Sequence, residues 1–142
     1  MAHHVEPILH LSLPVLDLDA ARDFYVERLG CRLGRERDQF IDVWFFGMQL
    51  TLQQRPEEVA VDGEQGVRHF GVTLPRTQLD ALVARLHAQP VRWLEPLTTD
   101  TEGTLDGKVS AKIADPSGNV IELKAYPDEA FASFTQGATP PS

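Results

Sequence analysis

The chain has 142 residues, a formal net charge of −8 at pH 7 and one cysteine. Its length predicts a single domain, residues 1–142, with a core that needs no disulfide or structural metal. The negative charge argues against nucleic-acid partners, which attract proteins with a positive field. No apolar stretch is long enough to span a membrane, and the N-terminus lacks the order of a signal peptide. We therefore expect a cytoplasmic protein with neither nucleic-acid nor membrane partners.

Two apolar strands, Ile8–Val15 and Val67–Pro75, carry one histidine each at matching points, His10 and His69. A helix and three further strands are predicted to follow each of them, so the chain reads as an internal repeat. The predicted parts are module one at about residues 6–56, module two at about 67–127 and a flexible C-terminal tail at about 135–142.

The two helices carry different start signals. The first, about Leu18–Leu29, is predicted to be capped by Asp17 and stopped by Gly30. The second is predicted to start at Thr77, with Asp80 completing a capping box.

The remaining strands are short alternating runs of apolar and polar residues, which indicates an α+β fold. They are predicted at Cys31–Glu36, Phe40–Phe46 and Met48–Gln53 in module one, and at Val91–Leu97, Val109–Ala114 and Asn119–Tyr126 in module two. A polar loop is predicted at Asp100–Gly107.

Alternation along the strands places His10, His69 and Glu122 on the polar faces of the two predicted sheets. A single histidine on such a face is usually only solvated. Trp44, a large apolar ring on a nominally wet face, instead suggests the wall of a cleft. If the sheets curl toward each other, their polar faces line a shared cavity.

Two imidazoles and one carboxylate in a cavity form the facial triad typical of non-heme Fe²⁺, and they also suit Mn²⁺, Ni²⁺ or Zn²⁺. Such a set leaves coordination positions open for substrate. A cation between the three groups would also relieve the cost of burying Glu122.

Three segments, "HLSLPVLDLDAARDFYVERLGC", "HFGVTL" and "DPSGNVIELKAY", resemble the vicinal oxygen chelate superfamily of glyoxalases, bleomycin-resistance proteins and extradiol dioxygenases. The resemblance covers about His10 to Tyr126. It implies two tandem βαβββ modules that form a cup-shaped mixed sheet around a metal ion. It also implies His10, His69 and Glu122 as the metal ligands, and a hairpin turn at "DPSGN", Asp115–Asn119.

The last segment is most similar to small predicted extradiol dioxygenases, which implies Fe²⁺ and ring cleavage of a catecholic small molecule. Two departures stand out: Lys112 replaces a tyrosine often found in the family, and the family's additional active-site histidine has no counterpart. Acid–base catalysis would then come from Lys112, Tyr126 or another group on the cup face. The substrate would contact Trp44, Thr51 and Gln53.

Two other functions stay open. A glyoxalase-like lyase, isomerase or thiol transferase would use a fourth ligand from module one, where Thr51 matches Glu122 and Gln53 lies one step further along. A non-catalytic drug-binding resistance protein is the third possibility, although such members commonly lack the triad. Members of the group often dimerise, so the resemblance also implies a homodimer.

Overall fold

The computed structural model describes residues 6–62, 64–100 and 107–132. The chain divides into two compact units, here called unit 1 (1–62 with 116–118) and unit 2 (63–115 with 119–142). The predicted tail and residues 101–106 of the predicted polar loop lie outside the described residues.

Unit 1 contains one four-stranded mixed sheet. Its elements are β1 (His10–Val15), α1 (Leu18–Arg22), a π-helical segment (Asp23–Arg28), β2 (Arg32–Glu36), β3 (Phe40–Phe45), β4 (Met48–Gln54) and a short 3-10 helix (Pro56–Glu58). The strand order is β1-β4-β3-β2, with β1 parallel to β4 and the other pairs antiparallel.

Unit 2 repeats this topology. Its elements are β5 (Phe70–Thr73), α2 (Arg76–His87), β6 (Arg92–Thr99), β7 (Val109–Ala114) and β8 (Val120–Ala125). The strand order is β5-β8-β7-β6, and again only the first pair is parallel. The α+β repeat predicted from the sequence is therefore confirmed. No described helix is long and apolar enough to cross a membrane.

The first helix begins where the sequence predicts but changes its winding. The Asp17 Oδ2 atom accepts a hydrogen bond from the Ala20 amide at 2.8 Å, as an N-cap should. After α1 the helix widens into the π-helical segment, and the Leu29 amide donates to the carbonyl of Phe24. Gly30 then adopts φ 82°, which ends the helix.

The capping box predicted for the second helix is wrong. Helix α2 starts at Arg76 directly after Pro75, and no side chain caps it. The Asp80 carboxylate instead accepts a hydrogen bond from Arg76 Nε at 2.9 Å, one helical turn away. Asp80 therefore pairs with the charged side chain of Arg76 instead of completing the predicted capping box.

Alternation along the central strands separates a core face from a polar face in each sheet. Ile41 and Val43 of β3 and Ile121 and Leu123 of β8 are fully buried. The strands at the two histidines are shorter than predicted: β1 begins at His10, and His69 lies one residue before β5.

The predicted turn between β7 and β8 is present. The Asp115 carboxylate accepts hydrogen bonds from both the backbone and the side-chain amide of Asn119, and Gly118 adopts φ 84°. Within unit 1, the Ser117 hydroxyl accepts a hydrogen bond from the Leu16 amide at 2.8 Å. The turn residues are thus bonded as well as tightly folded.

Candidate metal and substrate site

His10 opens β1, and its ring is oriented by the neighbouring strand. Its Cα partner is Gln49 of β4, and the His10 Nδ1 atom lies 3.1 Å from the Gln49 carbonyl oxygen. A carbonyl oxygen can only accept a hydrogen bond, so Nδ1 carries the hydrogen. The neutral ring therefore presents the Nε2 lone pair, which is the form that binds a metal.

His69 of unit 2 is held in the same tautomer by a different backbone group. Its Nδ1 atom lies 2.7 Å from the Val67 carbonyl oxygen, which accepts the hydrogen bond. Its Nε2 atom lies 3.8 Å from Glu122 Oε2, and the Glu122 side chain is only 13% exposed. A histidine nitrogen and a nearly buried carboxylate oxygen thus face each other within unit 2.

The other oxygen of Glu122 has a cationic neighbour. Lys124 Nζ lies 3.3 Å from Glu122 Oε1 and 5.5 Å from the centre of the Tyr126 ring. Burial on its own would lower the pKa of Lys124, but hydrogen bonds to Tyr126 and Glu122 and the negative charge of Glu122 raise it above its usual value. Lys124 therefore stays charged and holds Oε1, while Oε2 points toward His69.

His69, Glu122 and Lys124 line an open groove of about 230 Å³ on unit 2, together with residues of β5. Gly71 of β5 is the Cα partner of Glu122. A Cβ atom on Gly71 would lie 1.8 Å from the Glu122 carbonyl oxygen, a distance that no real contact reaches. Gly71 therefore allows β5 to approach β8 closely enough to bring His69 beside Glu122.

The other predicted catalytic and substrate-binding residues lie on these faces with partners of their own. Lys112 of β7 is the Cα partner of Glu122, but its ammonium lies 3.3 Å from the carboxylate of Glu95. In unit 1, Trp44 of β3 lies across from Gln49, and the Gln53 amide donates to the Ser12 hydroxyl at 2.5 Å.

Thr51 occupies the position in unit 1 that Glu122 occupies in unit 2. Thr51 is the Cα partner of Ser12, two residues after His10, just as Glu122 is the partner of Gly71, two residues after His69. The Thr51 hydroxyl donates to Asp42 Oδ1 at 2.7 Å. Asp42 of β3, the acid beside Thr51, therefore lies one strand away from the position on β4 that corresponds to Glu122.

Asp42 is a buried carboxylate on the polar face of unit 1 that the sequence analysis did not single out. It is 1% exposed, and its carboxylate accepts hydrogen bonds from Arg35 at 2.5 Å, Thr51, and Gln49 at 3.4 Å. Burial would raise the pKa of Asp42, but these bonds and the charge of Arg35 lower it below its usual value. The sequence signal that could have identified it is its position between two apolar residues, Ile41 and Val43, within a predicted strand.

A β-bulge brings Arg35 to Asp42. Leu33 pairs with Val43 and Glu36 with Ile41, so Gly34 and Arg35 together lie opposite the single residue Asp42. Such a bulge redirects a side chain, and strand alternation cannot predict it. The predicted strand Cys31–Glu36 therefore gave no indication that Arg35 binds Asp42.

The three predicted metal ligands are distributed over both units: His10 lies in unit 1, and the His69–Glu122 pair in unit 2. Across residues 6–62, 64–100 and 107–132, no three His, Cys, Asp or Glu side chains form a group that could hold a metal ion. The donor types fit a divalent metal, since both imidazoles present Nε2 and carboxylate oxygens are common ligands of such ions. That the three bind one ion together stays a prediction.

The glyoxalase/bleomycin resistance protein/dioxygenase superfamily model matches residues 7–123. A glyoxalase/bleomycin resistance protein/dioxygenase from Alicyclobacillus acidocaldarius is 32% identical, with a TM-score of 0.80 over 87% of this chain and 94% of that one. No curated protein matches the chain.

Two more distant structures share the fold. The fosfomycin resistance protein FosX from Listeria monocytogenes is 16% identical, with a TM-score of 0.70 over 89% of this chain and 98% of its own. TioX from Micromonospora sp. ML1 is 19% identical, with a TM-score of 0.66 over 86% and 100% of the two chains. The chain has the glyoxalase-like fold and belongs to the glyoxalase/bleomycin resistance protein/dioxygenase superfamily.

Proposed function

We propose that the chain is a mononuclear metal-dependent enzyme that cleaves the ring of a catecholic substrate in the manner of extradiol dioxygenases. His10, His69 and Glu122 would be the protein ligands of one divalent ion, with Fe²⁺ as the leading choice over Mn²⁺, Ni²⁺ and Zn²⁺. The ion would polarise the two substrate oxygens and hold them beside dioxygen. The superfamily relationship supports the class of site, and the side-chain geometry supports these residues.

The observation that carries the proposal is the shared tautomer of the two histidines. Each donates its Nδ1 hydrogen to a backbone carbonyl, at 3.1 Å for His10 and 2.7 Å for His69. This arrangement orients metal-binding histidines in many proteins and directs Nε2 outward.

The His69–Glu122 distance is consistent with a shared cation. Two ligand atoms with bonds of about 2.1 Å to one metal lie about 3.0–3.4 Å apart. The observed 3.8 Å between His69 Nε2 and Glu122 Oε2 thus requires only a small side-chain movement. A cation between the two atoms would bind the Nε2 lone pair and a carboxylate oxygen together.

The residues around Glu122 divide the remaining tasks. Lys124 holds Oε1, which favours ligation through Oε2 alone and keeps coordination positions open for substrate. Tyr126 contacts Lys124, the neighbour of Glu122, whereas the ammonium of Lys112 is paired with Glu95. Tyr126 is therefore the better candidate for proton transfer. Trp44, Thr51 and Gln53 would contact the substrate from unit 1.

Metal content and turnover test the proposal together. Protein purified without added metal or chelator is analysed for bound metal, then loaded anaerobically with Fe²⁺ and assayed for oxygen consumption with catechol. We expect about one metal ion per chain and ring cleavage. The variants His10→Ala, His69→Ala and Glu122→Gln should each lower metal affinity by more than about tenfold.

His87 lies on α2, stacks on the Trp93 ring of β6 with 4.4 Å between ring centres, and is not a proposed ligand. His87→Ala is therefore the matched control. It should retain the metal. Unchanged metal content in His69→Ala would refute the ligand assignment. Zinc or nickel with turnover of a hemithioacetal would replace ring cleavage by the glyoxalase-like reaction, and tight drug binding without any metal would favour a resistance protein.

A further inference from the structure

The polar face of the unit 1 sheet carries a row of side chains that runs across all four strands. His10, Gln49, Trp44 and Arg32 are successive Cα partners from β1 to β2. Directly opposed residues point to the same side of a sheet. Arg32 therefore shares a face with His10, about 14 Å away across three strand spacings of about 4.8 Å.

Arg32 and Arg35 are each supported by an aromatic ring of β3. The Arg32 guanidinium carbon lies 5.7 Å from the centre of the Trp44 ring, and that of Arg35 lies 5.2 Å from the Phe40 ring. Arg35 is further fixed by its 2.5 Å bond from Nε to Asp42. Two exposed guanidinium groups are thus held in place on one face.

The charges on this face are not balanced. Asp42 lies between the two aromatic rings along β3 and neutralises one arginine. No other carboxylate among the described residues binds either guanidinium. Glu36, the nearest acid on β2, pairs with Ile41 on the opposite face and binds Arg22 at 2.9 Å. A chain with a net charge of −8 therefore keeps a local positive charge here.

We propose that Arg32 and Arg35 bind an oxyanion, a carboxylate or phosphate group, of the substrate. Arginine presents planar donors that match both groups, and an arginine already held by packing loses little entropy on binding. The inference deepens the proposed function, on which it rests for the identity of the ligand as substrate. It assigns the substrate an acidic group at one end and the metal-binding oxygens at the other.

Calorimetric titration of the metal-free chain tests the oxyanion site separately from the metal. The probes are benzoate, phenyl phosphate and the uncharged benzyl alcohol. Binding of benzoate alone identifies a carboxylate site, and binding of phenyl phosphate alone a phosphate site; binding of both identifies the shared oxyanion chemistry. Equal binding of benzyl alcohol, or no binding of either acid, overturns the proposal.

Arg32→Met should weaken binding of the preferred acid by about tenfold or more, as expected for loss of a charge-assisted hydrogen bond. Because Arg35 also neutralises Asp42, its removal endangers the fold, so Arg35→Lys is the variant of choice. It keeps the charge but loses the planar donor pair, and it should also weaken binding. Unchanged affinity in both variants would overturn the proposal.

Arg28→Met is the control for general charge effects, because Arg28 is paired with Asp23 at 2.9 Å on the helical segment. It should bind the acid as wild type does, and an equal loss in this variant would overturn the site. His69→Ala should lose the metal and retain acid binding. Failure of the proposed function would thus appear as missing metal or oxygen consumption, with acid binding intact.

Discussion

The two units share one topology but use the polar face of their sheets differently. In unit 2 the acid is Glu122, which faces His69 and Lys124 in an open groove. In unit 1 the acid is Asp42, which is buried and accepts three side-chain hydrogen bonds. A duplicated fold can thus keep a carboxylate in each half, although only the carboxylate of unit 2 has room for a new ligand.

The residue two positions after the histidine of each unit, on its first strand, explains part of this difference. Unit 2 has Gly71 where unit 1 has Ser12, and only the glycine lets β5 lie against the backbone of Glu122. In unit 1 the bulge at Gly34 and Arg35 delivers a guanidinium to Asp42. One half is adapted by removing a side chain and the other by inserting an extra residue into a strand.

The largest effect is expected at Gly71, where unit 2 lacks the side chain that unit 1 has at Ser12. Gly71→Ala should destabilise the chain by about 3 kcal/mol, because the new Cβ would overlap the Glu122 carbonyl and force β5 away from β8. Urea unfolding measures this loss. Ser12→Ala at the equivalent position should cost only about 1 kcal/mol, for its bond to Gln53. Equal costs at both positions would show that the close approach at Gly71 is unimportant.

The buried acid of unit 1 gives a smaller, pH-dependent effect. Because the pKa of Asp42 is lower in the folded chain than its unfolded value of about 4, its ionised form stabilises the fold above that pH. This contribution is lost as the pH falls through the lowered folded pKa. Asp42→Asn should cost about 2 kcal/mol at pH 7, and less as the solution becomes more acidic.

Urea unfolding of wild type and Asp42→Asn at pH 7 and pH 3 checks this expectation. The difference between the two proteins should shrink at pH 3. Asp38→Asn, at an exposed position in the turn before β3, serves as the control and should change little at either pH. A cost for Asp42→Asn that does not depend on pH would mean that packing rather than charge holds this residue.

The smallest effect separates the two helix starts. Asp17→Ala should cost about 1 kcal/mol, because it removes the side-chain cap of α1. Thr77→Ala should have an effect near zero, since α2 has no side-chain cap and begins at Arg76. Thermal unfolding of both variants is sufficient, and a larger loss for Thr77→Ala than for Asp17→Ala would contradict the cap assignment.

Strand alternation and turn residues are local properties of the chain, so they were enough to predict the repeat, the α+β class and the strand faces of His10, His69 and Glu122. The sequence also predicted the turn at Asp115–Asn119. The capping box predicted for α2 was wrong, since the Asp80 carboxylate could bind either the start of the helix or the Arg76 side chain, and it binds Arg76.

Which polar groups bind one another could be seen only in the folded chain. Backbone carbonyls accept the hydrogen bonds that set both histidine tautomers. The acceptor for His10 is on the neighbouring strand β4, and the acceptor for His69 is Val67, two residues before it. The burial of Asp42 and its pairing with Arg35 depend on a bulge that shifts the register of β2. Such contacts arise from strand pairing and backbone geometry, so no pattern within a single strand encodes them.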